Sequence, residues 1–425
     1  MILNPNPRQF FWLLAILMTG EPFFKALANG FALPDQDAFA TARGEAVVAT
    51  ADNPSAIFYN PAGITQLEGL YVRGGAYLLN YNTSFKPPPG RFNSGQTYNE
   101  QDNFAAAPRI FITYTPTNAP VSFGLGVYAP FGGKTSWPQK TGFRSVALNG
   151  ELTYITINPV VAWEIFPSLS MAAGPMVNYV DMNMEQGLDT FPQPVNYYRF
   201  NGTGWSAGYN LGLRWQALEQ LSFGATFRSS AKVKLDGQTE FQEPPFIPSS
   251  SRSANMDLNF PMCAVVGVSY RPTPKWNLEF DASYTDWSSF GSNNIYQANP
   301  PPGLKTVVPV TLDWQPSWMY EFGVTRYFEN CWNVSAGYCF SGNSVPNSYY
   351  TPLAADMDRH FFSVGTGYKG GHLSFDVAYQ FGYAKTQTVT GSKPSTSPGG
   401  PAGQNADGKY DFNSSAVSVS VGWHF

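Results

Sequence analysis

The stretch WSAGYNLGLRWQ, Trp205 to Gln216, alternates without a break. Trp205, Ala207, Tyr209, Leu211, Leu213 and Trp215 share one face, and Ser206, Gly208, Asn210, Gly212, Arg214 and Gln216 share the other. Successive residues of a strand point to opposite faces, so the segment reads as a strand with one apolar side and one polar side. The same alternation recurs at Trp332–Ser341, at Leu373–Phe381 and at the chain end, SAVSVSVGWHF, Ser415 to Phe425. A strand that runs to the last residue needs a partner there, and a closed barrel provides one by pairing its last strand with its first. Segments of this kind number about fourteen, from Leu70–Tyr81 to Phe412–Phe425, an even count of the sort single-chain bacterial barrels show.

The connections alternate in length. Tight turns at Pro167, Glu219, Arg271, Phe328 and Lys369 are interleaved with long connections at Asn82–Asn103, Phe131–Ala147, Gly187–Gly202, Asp236–Ala254 and Gln387–Asp411, which hold Pro, Gly, Asn and Ser clusters. Short turns on one side and long loops on the other are the layout of an outer-membrane barrel. Trp163, Trp215, Tyr270, Trp276, Trp332 and Trp423 lie near tight turns or the C-terminus with the parity of the apolar face, as a periplasmic aromatic girdle requires. A soluble propeller or sandwich would place those rings in cores and would not alternate its loop lengths. Charged residues make up 13% of the chain against about a quarter in soluble domains, while aromatics reach 16%.

The N-terminus reads as an export signal, residues 1–28. Arg8 is its positive charge, Phe10–Met18 is too short to span a membrane, and Ala26-Leu27-Ala28 fits the cleavage pattern, so the mature chain is expected to start at Asn29. This implies an outer-membrane, multi-pass protein with both termini periplasmic. The net charge of -4, with no basic run, disfavours nucleic acid as a partner. Cys263, Cys331 and Cys339 are odd in number, and His360, His372 and His424 share no ligand spacing, so no disulfide framework, metal or cofactor is expected.

Residues 29–69 do not alternate. They are rich in alanine and small polar residues, with helical spacing over Ala38–Val48 at most. A segment so apolar is expected to sit inside the barrel, leaving 70–425 as the wall. It closely resembles the N-terminal hatch of the FadL-type outer-membrane fatty-acid and hydrocarbon transporters, including the triplet Asn60-Pro61-Ala62. Further resemblances follow in order: GVYAPFGGKTSW from Gly126, INPVVAW from Ile157, FRSSAKVKLDG from Phe227 and YTDWSSF from Tyr284. The resemblance implies a fourteen-stranded barrel plugged by the hatch. It also implies passive uptake of long-chain fatty acids or other hydrophobic, detergent-like molecules, with capture by the outer loops, lumenal binding and lateral release at a kinked third strand. Outer-membrane lipid and, during biogenesis, the barrel-assembly machinery are the implied partners of a monomer.

Several residues are singled out for these roles. In the third strand Gly124 and Gly126 permit a kink, and Pro159 in its neighbour withdraws a ladder donor, which together place the lateral gap there. For a carboxylate head group, parity places Arg214, Arg228, Lys232 and Lys234 on the polar face, with Glu279, Asp281 and Asp376 as competing partners. Phe191, Tyr198 and Phe246 are aromatic contacts offered by the loops, and Asn60, Pro61 and Ala62 are gate residues of the hatch.

Three rival readings have distinct signatures. Gly204-Trp205-Ser206-Ala207-Gly208 matches a nucleophile pattern, but that pattern needs a strand-turn-helix elbow and here lies within an alternating strand. A general diffusion porin carries dense lumenal charge and would conduct sugars and ions. A structural or adhesin barrel would tolerate loss of the hatch.

Overall fold

The computed structural model describes residues 30–425 apart from 92–93, 189–195, 244–246, 394–395, 398–399 and 402–403. The expected signal segment 1–28, and Phe191 and Phe246, therefore lie outside the described residues. Among the described residues, fourteen antiparallel strands close into a barrel. They are β1 Gly69–Lys86, β2 Phe104–Thr115, β3 Val121–Tyr128 continued by Gly132–Ser136, β4 Asn149–Phe166, β5 Leu169–Gln186, β6 Tyr197–Leu218, β7 Leu221–Arg228 continued by Ala231–Glu243, and β8 Ile247–Phe260 continued by Cys263–Thr273. The ring is completed by β9 Trp276–Thr285, β10 Ser317–Tyr327, β11 Trp332–Ser341, β12 Arg359–Gly370, β13 Leu373–Val389 and β14 Gly408–His424. β14 pairs with β1 from Tyr71↔His424 to Lys86↔Lys409, which closes the ring and explains why the alternation runs to the chain end.

The apolar side of each strand faces outward. Trp205, Tyr209, Leu211, Leu213 and Trp215 are exposed on β6, as are Val417, Val419, Val421 and Trp423 on β14, while Asn210, Ser418 and Ser420 are buried in the lumen. Such a surface is stable only where lipid replaces water. Trp163, Trp215, Trp276, Trp332 and Trp423 stand outward near the short-turn end. A second outward belt at the other end includes Trp205 against Tyr179 and Trp318 against Tyr284, with ring centroids 5.1 Å apart in each pair. No helix among the described residues is long and apolar enough to cross a membrane.

One parity expectation is corrected. β7 is interrupted at Ser229–Ser230 and β8 at Pro261–Met262, so that Arg228↔Cys263 and Ala231↔Phe260 flank a break in both strands. β7 and β8 stay in register with each other across the break, but against β6 the register slips by one residue between Asn210↔Arg228 and Thr203↔Asp236, and such a slip sends every following side chain to the other face. Val233 and Leu235 are therefore buried inside, while Lys232 and Lys234 stand on the outer wall, paired with Asp257 at 2.9 Å and Asp236 at 3.1 Å.

Residues 30–68 fill the short-turn half of the lumen. Their helices are brief: α1 Ala38–Ala42, capped by the Asp37 side chain, and α2 Ala56–Tyr59, followed by a 3₁₀ turn Pro61–Gln66 capped by Asn60. Small residues let these turns pack tightly, and the wall meets them with small residues of its own. An ideal Cβ on Gly224 would fall 2.1 Å from the Val48 carbonyl oxygen, and one on Gly337 would fall 2.0 Å from the Arg43 carbonyl carbon.

The hatch is held largely by side chains of the wall. Asp281 accepts from the Val47 and Val48 amides at 2.8 Å each, and Glu279 accepts from the Ala49 and Thr50 amides at 2.7 and 3.1 Å. Glu279 also pairs with the buried Arg43 at 3.0 Å, and Arg73 bridges Asp37 and Asp376 at 2.6 and 2.7 Å. These carboxylates satisfy backbone N–H groups that a helix or sheet would otherwise employ, which is how an irregular segment survives burial.

Candidate functional site

Above the hatch the lumen opens into a cavity of about 550 Å³. Its position follows from a switch along the strands. Inward residues are small or polar beside the hatch, as with Gly208, Asn210 and Gly212 on β6, and become large and apolar toward the long loops, as with Phe200 on β6, Met182 on β5, and Met256 and Leu258 on β8. The floor is the hatch segment Gly30–Asp35 with Glu45. A mostly apolar concavity with a few polar groups is the usual form of a small-molecule site.

One of those polar groups is Arg359, at the start of β12. Its guanidinium lies 4.3 Å over the Phe412 ring, its Nη2 donates to the Ala355 carbonyl at 3.0 Å, and its Nε is buried without a partner among the described residues. Asp356 is the nearest carboxylate: its Oδ1 lies 3.8 Å from Arg359 and has no hydrogen-bond donor among the described residues, while its Oδ2 accepts from the Ser344 amide and hydroxyl at 2.9 Å each and from the Gly30 amide at 3.2 Å. At 3.8 Å this is a long contact, so Arg359, which lines the cavity, keeps donors not engaged by the carboxylate. Glu100 also lines it, and burial pushes its carboxyl up to about 7 against hydrogen bonds from Thr135 and Thr83 and the attraction of Arg359.

The wall beside the cavity is incomplete. β3 pairs with β2 only from Tyr114↔Phe123 to Ile110↔Val127, so among the described residues Phe104–Arg109 of β2 has no ladder partner on that side. After Tyr128 the third strand turns to the hatch. Leu33 N donates to the Pro130 carbonyl at 2.9 Å, Gly132 N donates to the Phe31 carbonyl at 3.0 Å, and Gln36 Nε2 donates to the Ala129 carbonyl at 2.8 Å. Ala105, on the unpaired stretch, lines the cavity, as do Gly132, Gly133 and Lys134. Pro130 offers no N–H to the ladder, which is the local reason the strand can leave it.

A plugged fourteen-stranded wall with an apolar chamber against its open edge is matched by the family described as outer membrane protein transport protein (OMPP1/FadL/TodX), over residues 24–425. The chain belongs to the FadL/TodX family. Similar proteins include the long-chain fatty acid transport proteins of Salmonella typhi and Escherichia coli K12, each 22% identical, each alignment covering 79% of this chain and 83% of the relative. Among solved structures, a Pseudomonas aeruginosa FadL homologue superposes with a TM-score of 0.82 at 19% identity, covering 93% of this chain and all of that one. The Ralstonia pickettii toluene transporter TbuX superposes at 0.68 with 14% identity, covering 92% and 98%.

Within this FadL/TodX barrel the residues singled out from sequence take up different positions. Tyr198 lines the cavity, whereas Arg214, Arg228 and Lys232 do not. Arg214 Nε donates to the Ala49 carbonyl at 3.1 Å, and Arg228 donates to the Phe58 carbonyl at 2.7 Å while stacking on its ring, so both hold the hatch. Asn60 ties the hatch together and to the wall, donating to Val48 and Leu213 carbonyls at 2.8 and 2.9 Å; Pro61 starts the 3₁₀ turn and Ala62 N is capped by Asn60 at 3.2 Å.

Gly124 and Gly126 lie in the paired part of β3, where the hatch residue Ile57 occupies the space a Cβ would need. Pro159 sits opposite Leu125, and the β4–β5 register lapses beside it between Ile157↔Val177 and Val161↔Ala173. Asn158 fills that lapse, donating to the Pro175 carbonyl at 2.8 Å. The unpaired edge therefore begins a few residues beyond the expected one, after Tyr128. Ser206 of the nucleophile-like motif lies within the continuous β6. Arg359 and Glu100 escaped sequence reasoning because both stand among loop charges; the Pro-Phe-Gly-Gly run at Pro130–Gly133 was the available signal for the edge.

Proposed function

We propose that this protein takes up long-chain fatty acids or other hydrophobic molecules passively, holds them in the cavity above the hatch, and releases them sideways through the β2–β3 edge. The supporting observation is the contact between the apolar cavity and the unpaired Phe104–Arg109 stretch. Exit through water would re-expose the apolar surface of the ligand at about 25 cal/mol per Å², whereas exit through the wall keeps it covered. In this reading the short-turn end and both termini are periplasmic, the long loops face outward and residues 1–28 are removed on export. The names of the relatives, fatty acid and toluene transporters, agree in ligand class.

The test is expression in a host lacking its own fatty-acid transporter, followed by uptake of radiolabelled oleate and toluene. Uptake without sugar or ion conductance in liposomes supports the proposal; porin-level conductance would defeat it. Filling the edge gives a sharper check. Ala105→Trp adds bulk at the cavity side of the unpaired stretch, and with an overpacking cost of about 1–3 kcal/mol on the passing ligand, uptake should fall roughly tenfold with the barrel still folded.

Arg359 is the proposed seat of a carboxylate head group. Arg359→Ala should weaken binding of a fluorescent fatty acid by roughly tenfold or more, since a charge-assisted hydrogen bond contributes about 1.5–3 kcal/mol. Glu100 adds a pH dependence. It is neutral below its raised pKa and anionic above it, where it competes for Arg359 and repels the ligand, so affinity for the fatty acid should drop as pH rises through about 7. Equilibrium titrations on either side of that pH, with Glu100→Gln flattening the profile, check the sign.

A further inference from the structure

The floor of the cavity holds two acidic side chains that the binding account leaves unused. Asp35 is 7% exposed and Glu45 is 4% exposed, and both line the cavity. Their carboxyls are hydrogen-bonding neighbours. Two carboxyl groups in contact can hydrogen-bond only if one of them carries the proton. Asp35 Oδ1 accepts from Gln380 Nε2 at 3.0 Å, Glu45 Oε2 accepts from the Tyr59 hydroxyl at 2.6 Å, and Glu45 Oε1 is buried with no donor among the described residues. Glu45 also sits at φ 71°, in the left-handed region a non-glycine residue rarely adopts, so its side chain is held in place at a backbone cost.

The Arg109 charge favours the ionised form of Asp35, whereas no cation stands beside Glu45 among the described residues. Arg109 of β2 turns one Nη to the Asp35 backbone carbonyl at 2.9 Å and the other to Ser418 and Ser420 at 2.6 and 3.3 Å. Arg73 is taken by Asp37 and Asp376. Facing the pair from the other elements are Tyr77 of β1, Glu321 of β10 and Cys339 of β11, none of them cationic. Burial, and then the Asp35 charge, push the Glu45 carboxyl well above the usual carboxylate range. The pair is also at the doorway, because Leu33 and Gln36 on either side of Asp35 are the residues bonded to Pro130 and Ala129.

We propose that Asp35 and Glu45 are a shared-proton pair that neutralises the head group of a carboxylic-acid ligand before it passes through the wall into lipid. This rests on the transport reading above. A carboxylate cannot enter hydrocarbon charged at tolerable cost and is neutralised instead. In the step, the Glu45 O–H bond breaks and an O–H bond forms on a ligand carboxylate oxygen. The ligand leaves as the neutral acid, and a hydronium ion from the lumen protonates the pair in the same step and departs as water, so that the two carboxyls are not both left ionised.

The test compares uptake of oleate with uptake of methyl oleate, a neutral lipid of the same chain, in cells carrying the full-length protein. Glu45→Gln is expected to lower the oleate to methyl oleate ratio about tenfold, the effect of roughly one unit of pKa mismatch, and Asp35→Asn to lower it similarly. The purified wild-type protein at neutral pH should show an infrared band of a protonated carboxyl that Glu45→Gln removes. A ratio that neither variant changes, or a wild-type protein without that band, overturns the proposal. If wild type takes up neither lipid, the transport reading itself fails, and the infrared band still decides whether the pair shares a proton.

Discussion

Glu279→Ala should loosen the hatch while leaving the barrel closed. Glu279 accepts from two hatch amides, from the Thr50 hydroxyl and from Arg43, and all of these groups are buried. Removing the carboxylate strands the Arg43 guanidinium, whose remaining hydrogen bonds run to the Thr325 hydroxyl at 2.7 Å and the Ala46 carbonyl at 2.9 Å. Breaking one side of a buried ion pair costs about 3–5 kcal/mol. The wall does not bear that loss, since β9 keeps its ladders with β8 and β10. Amide exchange at Val47–Thr50 should therefore speed up by roughly 10²–10³-fold, with ion conductance appearing across a planar bilayer. Exchange as slow as in wild type would show that the hatch is held by packing and not by its carboxylate anchors. Glu279→Gln keeps an acceptor and should give a smaller change.

Gly337→Val should have a comparable effect by shape alone. An ideal Cβ at Gly337 lies 2.0 Å from Arg43 C and 2.1 Å from Gly44 N, and these are backbone atoms that no rotamer change can move aside. Valine suits a strand, so β11 should still form. The overlap must be relieved by the hatch, at more than the usual ~1–3 kcal/mol of overpacking. The expected result is an assembled, heat-modifiable barrel whose ligand uptake falls at least about tenfold, in keeping with that energy. At Gly74, where a Cβ would meet only the Arg109 carbonyl oxygen at 3.6 Å, the change to alanine should be silent, and an equal loss there would sink the steric account.

The wall was legible in the sequence because lipid imposes a two-residue period on the strands, and within each unbroken strand that period needs no tertiary information. The plugged interior was legible for the complementary reason that residues 29–69 lack the period while remaining apolar. What could not be read were the places where the ladder slips or stops. Nothing in FRSSAKVKLDG announces that Ser229–Ser230 costs the register one step, yet that step carries Lys232 from the lumen to the outer face. Gly124 and Gly126 looked like the weak point of β3; they instead accommodate Ile57, and the strand departs at Pro130. Arg214 and Arg228 have the right parity for a ligand, but their donors are directed at hatch carbonyls, a choice made only when the hatch is in place. Arg359 was hidden by its nearest carboxylate, Asp356, whose Oδ2 the fold commits to Ser344 and Gly30 and whose Oδ1 is held no closer than 3.8 Å.

In the proposed transport, the segment Phe31–Asp35 would be the base on which a ligand comes to rest, and Phe31, Leu33 and Gln36 are also the residues to which β3 is fastened. On that reading cargo and doorpost would be in mechanical contact. A molecule long enough to press on Leu33 would then press on Pro130 as well, so a bulkier load would prise the proposed exit wider, and throughput would follow how well the load fits the chamber more than how greasy it is.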